Sequence, residues 1–439
     1  MYTALKILPA FAVTIALSNP VWAGDARSIA LGGSAIANGQ GAHGALENPA
    51  SMMTMKRAGQ RIHFRIGFSA DIRDTGDLVD TLTDDANTDL ISDIEAQVEE
   101  LSTRVIQCDP IFGNAEDVCV DNTQAVSDLA TQLLTVVNSI DDESVDAQVS
   151  ADLGMAFTMV GYPVAVNLRI IATGNGTPDI VETDKDYILE LANLLDDDSL
   201  TLDEIRNSTY IEADEFGIPL SVQLPEDVLQ SEGYGSSLVR TQLGIGFAKT
   251  LTMGGFIIDT GITPKFSKLD AYSLNASLVD ELDDTTGPIQ DRFEDSEVSE
   301  STFTFDVGAS MALSSFPVRV AAVIRNVIPE SIQTLNGFEF ETTPQIIVGV
   351  AFKTNLLSIT GDLALNKAKQ DNFESRKFSL GVELGFKKLA FRGGISHDAA
   401  REDETTAFTL GFGLGPLQVG ARLSELTAIE GSLQMSYSF

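Results

Sequence analysis

Residues 405–439 read TTAFTLGFGLGPLQVGARLSELTAIEGSLQMSYSF. Phe408, Leu410, Phe412 and Leu414 alternate with Ala407, Thr409, Gly411 and Gly413, and Gly415-Pro416 reverses the chain. Leu433, Met435, Tyr437 and Phe439 then alternate with Gln434, Ser436 and Ser438. A period of two with one apolar and one polar face is the mark of a β-strand. The same pattern runs upstream through Phe378–Phe386 and Leu357–Leu365.

Fourteen such segments stand near 60–73, 151–160, 163–173, 237–249, 254–269, 302–313, 317–327, 344–353, 356–367, 376–386, 389–397, 405–414, 417–424 and 431–439. Tight turns such as Gly161-Tyr162-Pro163, Thr252-Met253-Gly254 and Lys387-Lys388 alternate with long connections at 74–150, 174–236, 270–301 and 328–343. A soluble sandwich also alternates. An even strand number, short turns at one end and long loops at the other favour a transmembrane barrel of the bacterial outer membrane. The expected fold is therefore all-β: a 14-stranded antiparallel transmembrane barrel over 59–439. It carries loop inserts at 75–150 and 174–236. Most charges sit on the polar face, where a wet lumen tolerates them and lipid does not.

Composition narrows the function. The chain has 439 residues, with 28 Lys and Arg against 64 Asp and Glu, a net charge of −36. So acidic a surface repels phosphate and excludes nucleic acid as a partner. Three His and two Cys leave no metal-ligand set. His43, His63 and His397 sit in no nucleophile elbow or ligand spacing, so neither a catalytic centre nor a cofactor is expected.

Residues 1–23 read as an export signal: Lys6, the apolar stretch Ile7–Leu17, the break at Asn19-Pro20 and the small-residue site Val21-Trp22-Ala23. Residues 24–58 fit no strand. Gly32 and Gly33 lie in a small, flexible run, and Asn48-Pro49-Ala50 starts a helix with Asn48 as cap and Pro49 at its first position. The segment can fold into the lumen as a plug or hang free as a tail. Its apolar Ile29, Leu31, Ile36 and Met52 favour the plug.

The 75–150 insert spaces Ile91, Ile94, Val98, Leu101 and Val105 as one amphipathic helix, and Val126, Leu129, Leu133, Val136 and Ile140 as a second. Together they form a helical hairpin, with Cys108 and Cys119 placed to close a disulfide across its tip. The insert carries eighteen acidic residues and one basic one, Arg104. It suits divalent ions held loosely between lipopolysaccharide phosphates, but lacks an EF-hand pattern. A short helix is expected from the capping box Thr201–Glu204.

The runs Ala26-Arg27-Ser28, Leu31-Gly32-Gly33, Asn48-Pro49-Ala50, Gly261-Ile262-Thr263-Pro264-Lys265, Thr304–Gly308, Arg325–Pro329, Gly361–Asn366, Phe391–Asp398 and Ser432–Phe439, taken in order, resemble one family. This is the outer-membrane barrel family named for conjugal transfer TraF, akin to FadL-like and PorV-like barrels. It is not the thioredoxin-fold protein of the same name, since C-x-x-C is absent. The resemblance implies a fourteen-stranded barrel with an N-terminal hatch, and no proven activity.

Two functions follow as expectations. The first is a plugged channel passing small compounds, hydrophobic ones among them, with Asp259, Lys265, Asp306, Arg325 and Arg392 lining a constriction or simply bracing the wall. The second is a surface scaffold of a conjugation or secretion system, with the 75–150 hairpin docking a protein partner. Outer-membrane lipid and lipopolysaccharide surround either one.

Overall fold

The computed structural model describes residues 25–39, 41–75, 123–141, 144–195, 211–213, 219–222, 230–253, 256–277, 292–293, 295–313, 316–371, 373–386, 388–400, 406–424 and 428–438. The expected export signal, the first helix of the 75–150 insert, Cys108, Cys119 and Thr201–Glu204 lie outside them. So does most of the docking surface expected over 75–150.

Fourteen antiparallel strands close into one barrel. In chain order they are β1 (Ile62–Thr75), β2 (Ser144–Met159), β3 (Tyr162–Asp179), β4 (Glu232–Met253), β5 (Phe256–Ser277), β6 (Val298–Ala312) and β7 (Val318–Arg325). Then follow β8 (Gln345–Lys353), β9 (Leu357–Ala364), β10 (Lys377–Phe386), β11 (Leu389–Asp398), β12 (Ala407–Leu414), β13 (Leu417–Ser424) and β14 (Ala428–Ser438). Each pairs with its neighbours in sequence, and β1 meets β14 from His63↔Ser438 to Arg73↔Ala428. The barrel therefore has no free sheet edge.

Burial along these strands inverts that of a water-soluble protein. On β12, Phe408 and Leu410 are 66 % and 68 % exposed, whereas inward Thr409 is 3 % exposed. Leu433, Met435 and Tyr437 of β14 are likewise exposed, with Ser432 and Gln434 buried between them. Large apolar side chains ring the outside and polar ones fill the inside. This arrangement is stable only against hydrocarbon, so the barrel spans a membrane.

All fourteen strands stand where alternation places them, but several run further. β4 and β5 have 22 residues each, about twice what a tilted strand needs to cross the hydrocarbon. Along β4 the outward positions change from Leu243, Ile245 and Phe247 to Gly233, Gly235, Ser237 and Thr241. Beyond the bilayer an outward residue need not be apolar, so period two fades while the hydrogen-bonded ladder continues. Bridges between β4 and β5 lapse between Gly244↔Lys265 and Phe247↔Ile262, where Pro264 has no amide to donate. The turn between β2 and β3 places Val160 and Gly161 at φ 48° and 84°, a paired left-handed geometry that matches strand twist.

Three small hairpins stand at the long-loop end: Ile211–Ala213 with Pro219–Val222, Glu330–Gln333 with Glu339–Thr342, and Ala368–Gln370 with Phe373–Ser375. The second lays Ile332 and Phe340 on Leu238, Leu269 and Ala271, all buried. Beside it Arg240 of β4 binds Glu330, Thr342 Oγ1 at 2.8 Å and Asp371 Oδ1 at 2.5 Å. These contacts tie two external hairpins to one inward side chain.

The second helix of the 75–150 insert is present as α4 (Thr123–Ile140). Among the described residues it packs against α5 (Glu182–Leu195), a helix of the other long insert. Ser127 Oγ donates to the Ala192 carbonyl at 2.9 Å, and Lys185 Nζ lies 2.5 Å from Asp141. Ile188, Leu191, Ala192 and Leu195 stand at i, i+3, i+4 and i+7, the spacing that puts apolar residues on one face of α5.

Candidate functional site

Residues 25–58 lie against the inward faces of the strands, and their local structure follows from a few capping residues. Asp25 caps α1 (Ala26–Ala30), accepting from the amides of Arg27 at 3.2 Å and Ser28 at 2.8 Å. Gly32 and Gly33, at φ 73° and 92°, end it. Gly33 N–H bonds the Ser28 carbonyl and Gly32 N–H the Ile29 carbonyl, the paired closure that needs a left-handed residue after the helix. A turn leads to α2 (Gly41–Glu47). Asn48 then accepts from Ala50 N–H at 3.0 Å, Pro49 opens a 3₁₀ turn to Met52, and α3 (Met53–Arg57) continues it. The Asn48-Pro49-Ala50 start is therefore built as its chemistry predicts.

The wall receives this segment at positions without side chains. A Cβ on Gly308 would fall 2.0 Å from Asn48 Oδ1, and one on Gly394 would fall 2.7 Å from the Gly32 nitrogen. The wall backbone therefore meets the Asn48 side chain at Gly308 and the backbone of Leu31 and Gly32 at Gly394, approaches that only glycine allows.

Polar contacts fix the fit. Asp362 of β9 accepts the backbone N–H groups of Ala35 and Ile36. On the same strand Thr360 Oγ1 lies 3.3 Å from Ser34 Oγ, and Ser358 Oγ lies 3.3 Å from Asn38 Nδ2. Thr409 Oγ1 accepts from Gly32 N–H at 3.0 Å and donates to the Ala30 carbonyl at 3.1 Å. Glu383 joins Arg27 of the segment, at 2.9 Å, to Arg392 of the wall, at 2.6 Å.

All five side chains singled out as lumen candidates face inward, but in separate clusters. Asp259 binds Arg57 and accepts from Thr250 Oγ1 at 2.8 Å. Lys265 lies 2.7 Å from Asp306 and 3.0 Å from Asn326 Oδ1. Arg325 binds Glu47, and Arg392 binds Glu383. Two of the five, Asp259 and Arg325, thus pair with residues of the N-terminal segment, Arg392 reaches it only through Glu383, and the Lys265–Asp306 pair braces the wall. Farther round, Arg65 and Asp152 form a pair at 2.7 Å with both side chains 2 % exposed.

Asp362 is the residue the sequence pattern does not pick out. It is one inward acid among many, and its role depends on a backbone turn more than 300 positions away in the chain. A lone acid between Thr360 and Ala364 on a strand's polar face was its only signal.

Two cavities flank the Ser34–Asn38 turn. One of about 230 Å³, on the long-loop side, is bounded by Gly33, Ile36, Arg325 and Asp362. The other, about 480 Å³, lies on the tight-turn side against Ala37, Asn38, Arg319 and Lys353. Gln345 and Ile347 of β8 face the first, and Ala351 and Lys353 of the same strand face the second. A Cβ on Gly349, between them, would fall 3.1 Å from Ile36 Cβ. One turn of chain thus separates two spaces along a single strand.

The family model described as F plasmid transfer operon, TraF, protein matches residues 45–363. No curated protein matches the sequence. Among solved structures, the Pseudomonas putida toluene transporter TodX is 11 % identical with a TM-score of 0.40, over 94 % of this chain and 96 % of its own. A deletion mutant of the same hydrocarbon channel is 11 % identical with a TM-score of 0.46, over 96 % and 99 %. The CymD monoaromatic hydrocarbon channel is 13 % identical with a TM-score of 0.33, over 94 % and 96 %. Likeness of this degree bears on neither cargo nor mechanism.

Proposed function

The chain belongs to the family of F plasmid transfer operon TraF proteins, and from that premise we propose that it is an outer-membrane channel for small solutes, shut at rest by its own residues 25–58. The observation that carries this reading is the single turn, Ser34–Asn38, standing between a cavity open to each half of the lumen. A barrel built only as a scaffold has no need of two chambers divided by so thin a partition.

The partition is held by hydrogen bonds to Asp362, Thr360 and Ser358 and by Ile36 and Ala37 packed on Ala321, Val323, Ile347 and Ala351. Ion pairs at Arg27, Glu47 and Arg57 anchor the segment on either side. Each hydrogen bond contributes about 0.5–3 kcal/mol net, so a few must be exchanged together for the turn to leave. Short turns at one end would face the periplasm and the long inserts the exterior. Hydrophobic compounds are the cargo for which TodX and CymD are named. Here the apolar patch of Leu238, Leu269 and Ala271 at the outer mouth is already covered by Ile332 and Phe340.

Planar-bilayer conductance tests the reading. Deleting residues 27–57 is expected to give large, steady openings. A cysteine pair, Ser34→Cys with Thr360→Cys, is expected to silence the full chain under oxidant and release it under reductant, with Cys108 and Cys119 replaced by Ser. A folded deletion variant as silent as the full chain overturns the proposal.

A further inference from the structure

The outer cavity, at about 230 Å³, is smaller than the roughly 300–1,000 Å³ sites that enclose drug-sized ligands. Its wall carries both signs of charge: Asp71, Asp146, Asp362 and Asp398 beside Arg325, Lys369 and Lys377. Much of that charge is matched within the protein. Arg325 binds Glu47, Lys369 lies 3.1 Å from Glu341, and Asp146 accepts from Asn175 Nδ2 at 2.8 Å.

Three lining groups keep an unmatched atom. Asp398 is 1 % exposed. Its Oδ1 accepts from the amides of Arg376 at 2.6 Å and Ala400 at 3.2 Å, the Ser375 hydroxyl and the Lys377 ammonium stand beside the carboxylate, and Oδ2 makes no hydrogen bond of good geometry. Asp362, 5 % exposed, spends Oδ2 on Ala35 and Ile36 and leaves Oδ1 without a donor. The Nε of Arg325 donates to no acceptor. Buried polar atoms are rarely left so, because an orphan has given up water without gaining a partner.

We propose that this chamber binds a small zwitterion of amino-acid size. Two free acceptor oxygens call for an ammonium group, and one free guanidinium N–H calls for a carboxylate. A hydrocarbon offers neither and would strand every charge in the wall. A simple anion meets the field of a chain with net charge −36 before it reaches Arg325, and a simple cation leaves the Arg325 Nε–H without an acceptor. Past the partition, Arg319 and Lys353 line the inner cavity, and no acid stands among its lining residues. The carboxylate therefore has cations ahead of it. The inference deepens the channel reading, on which it rests for the statement that the bound solute is the cargo; the binding itself is measured without transport.

The test is calorimetric titration of the full chain in detergent with L-glutamine, acetate, methylammonium and toluene. Saturable binding is expected for glutamine, at least tenfold weaker for acetate or methylammonium alone, and none for toluene. Asp398→Asn is expected to weaken glutamine binding tenfold or more, and Lys367→Gln, in an exposed pair with Glu374, to leave it unchanged. A second measurement covers variants that do not fold. Gln345→Cys places a thiol on the chamber wall, and glutamine is expected to slow its modification by a charged methanethiosulfonate at least fivefold. Absence of both binding and protection, full affinity in a folded Asp398→Asn, or protection by toluene equal to that by glutamine overturns the proposal. A channel that conducts but binds no glutamine sinks this inference alone. Bound glutamine in a barrel that never opens sinks the channel reading alone.

Discussion

Asp362 Oδ2 accepts two consecutive backbone amides, those of Ala35 at 2.7 Å and Ile36 at 2.9 Å. A single carboxylate oxygen thereby fixes the turn that parts the two cavities. Charge-assisted bonds of this kind are about twice as strong as neutral ones. Asp362→Ala is expected to cost about 2–4 kcal/mol of stability and to raise the open fraction in bilayer recordings. Asp362→Asn keeps an acceptor oxygen and should fall between. Unchanged conductance in both variants would separate this residue from the closed state.

The approach of Asn48 to Gly308 gives a steric counterpart. Gly308→Val puts carbon where Asn48 Oδ1 stands, so the helix start at Pro49 must shift. Increased access of a cysteine at Ala50 to a water-soluble thiol reagent is expected, with barrel heat-modifiability retained. Gly431→Ala is the control, because a Cβ there meets nothing within 4 Å.

Arg65 and Asp152 are a buried pair, and Arg169 also lies in the field of this acid, so removing Asp152 takes a negative charge from among buried guanidinium groups. Asp152→Leu is expected to destabilise the barrel by about 3–5 kcal/mol. The double change Arg65→Met with Asp152→Leu should recover part of that loss, the remainder falling on Arg169. Urea-induced unfolding in lipid vesicles measures both, and a double variant as weak as the single would show that the pair specifies more than charge balance.

Tyr187 of α5 lies outside the membrane-spanning strands, and burial pushes its phenol up to about 12 from the ordinary 10.0. The folded helix pair therefore holds the proton more tightly than the unfolded one. Stability from this source is complete below the unfolded value, near 10, and is lost as pH rises toward 12. Hydrogen-exchange protection in 182–195, corrected for the base-catalysed intrinsic rate, is expected to fall across that window in the native chain and to fall less in Tyr187→Phe. The barrel strands should report no change.

How much of this molecule could be read from its residues depends on what each pattern answers to. Leu433, Met435 and Tyr437 alternate because lipid touches every second position, so every strand was legible inside the bilayer. Where β4 rises above it, Gly233, Gly235 and Ser237 answer to no apolar solvent, and the strand ends read short. Asn48-Pro49-Ala50 is legible because a cap satisfies its own neighbours. Lumen charges could be assigned to the inward face but not to partners, since Arg325 and Glu47 are far apart in sequence. The partner of α4 was hidden for the same reason: its apolar stripe says that it must be covered, not by which helix.

The ring formed by Phe408, Leu410, Tyr437 and their counterparts has a practical outcome. Taken off its solvent, the finished protein would show water the very groups that a cytosolic enzyme hides by folding. Its native state is thus a property of the chain and the amphiphile together. A surfactant whose tails are too short for the band should lower the melting temperature even when no residue has been altered.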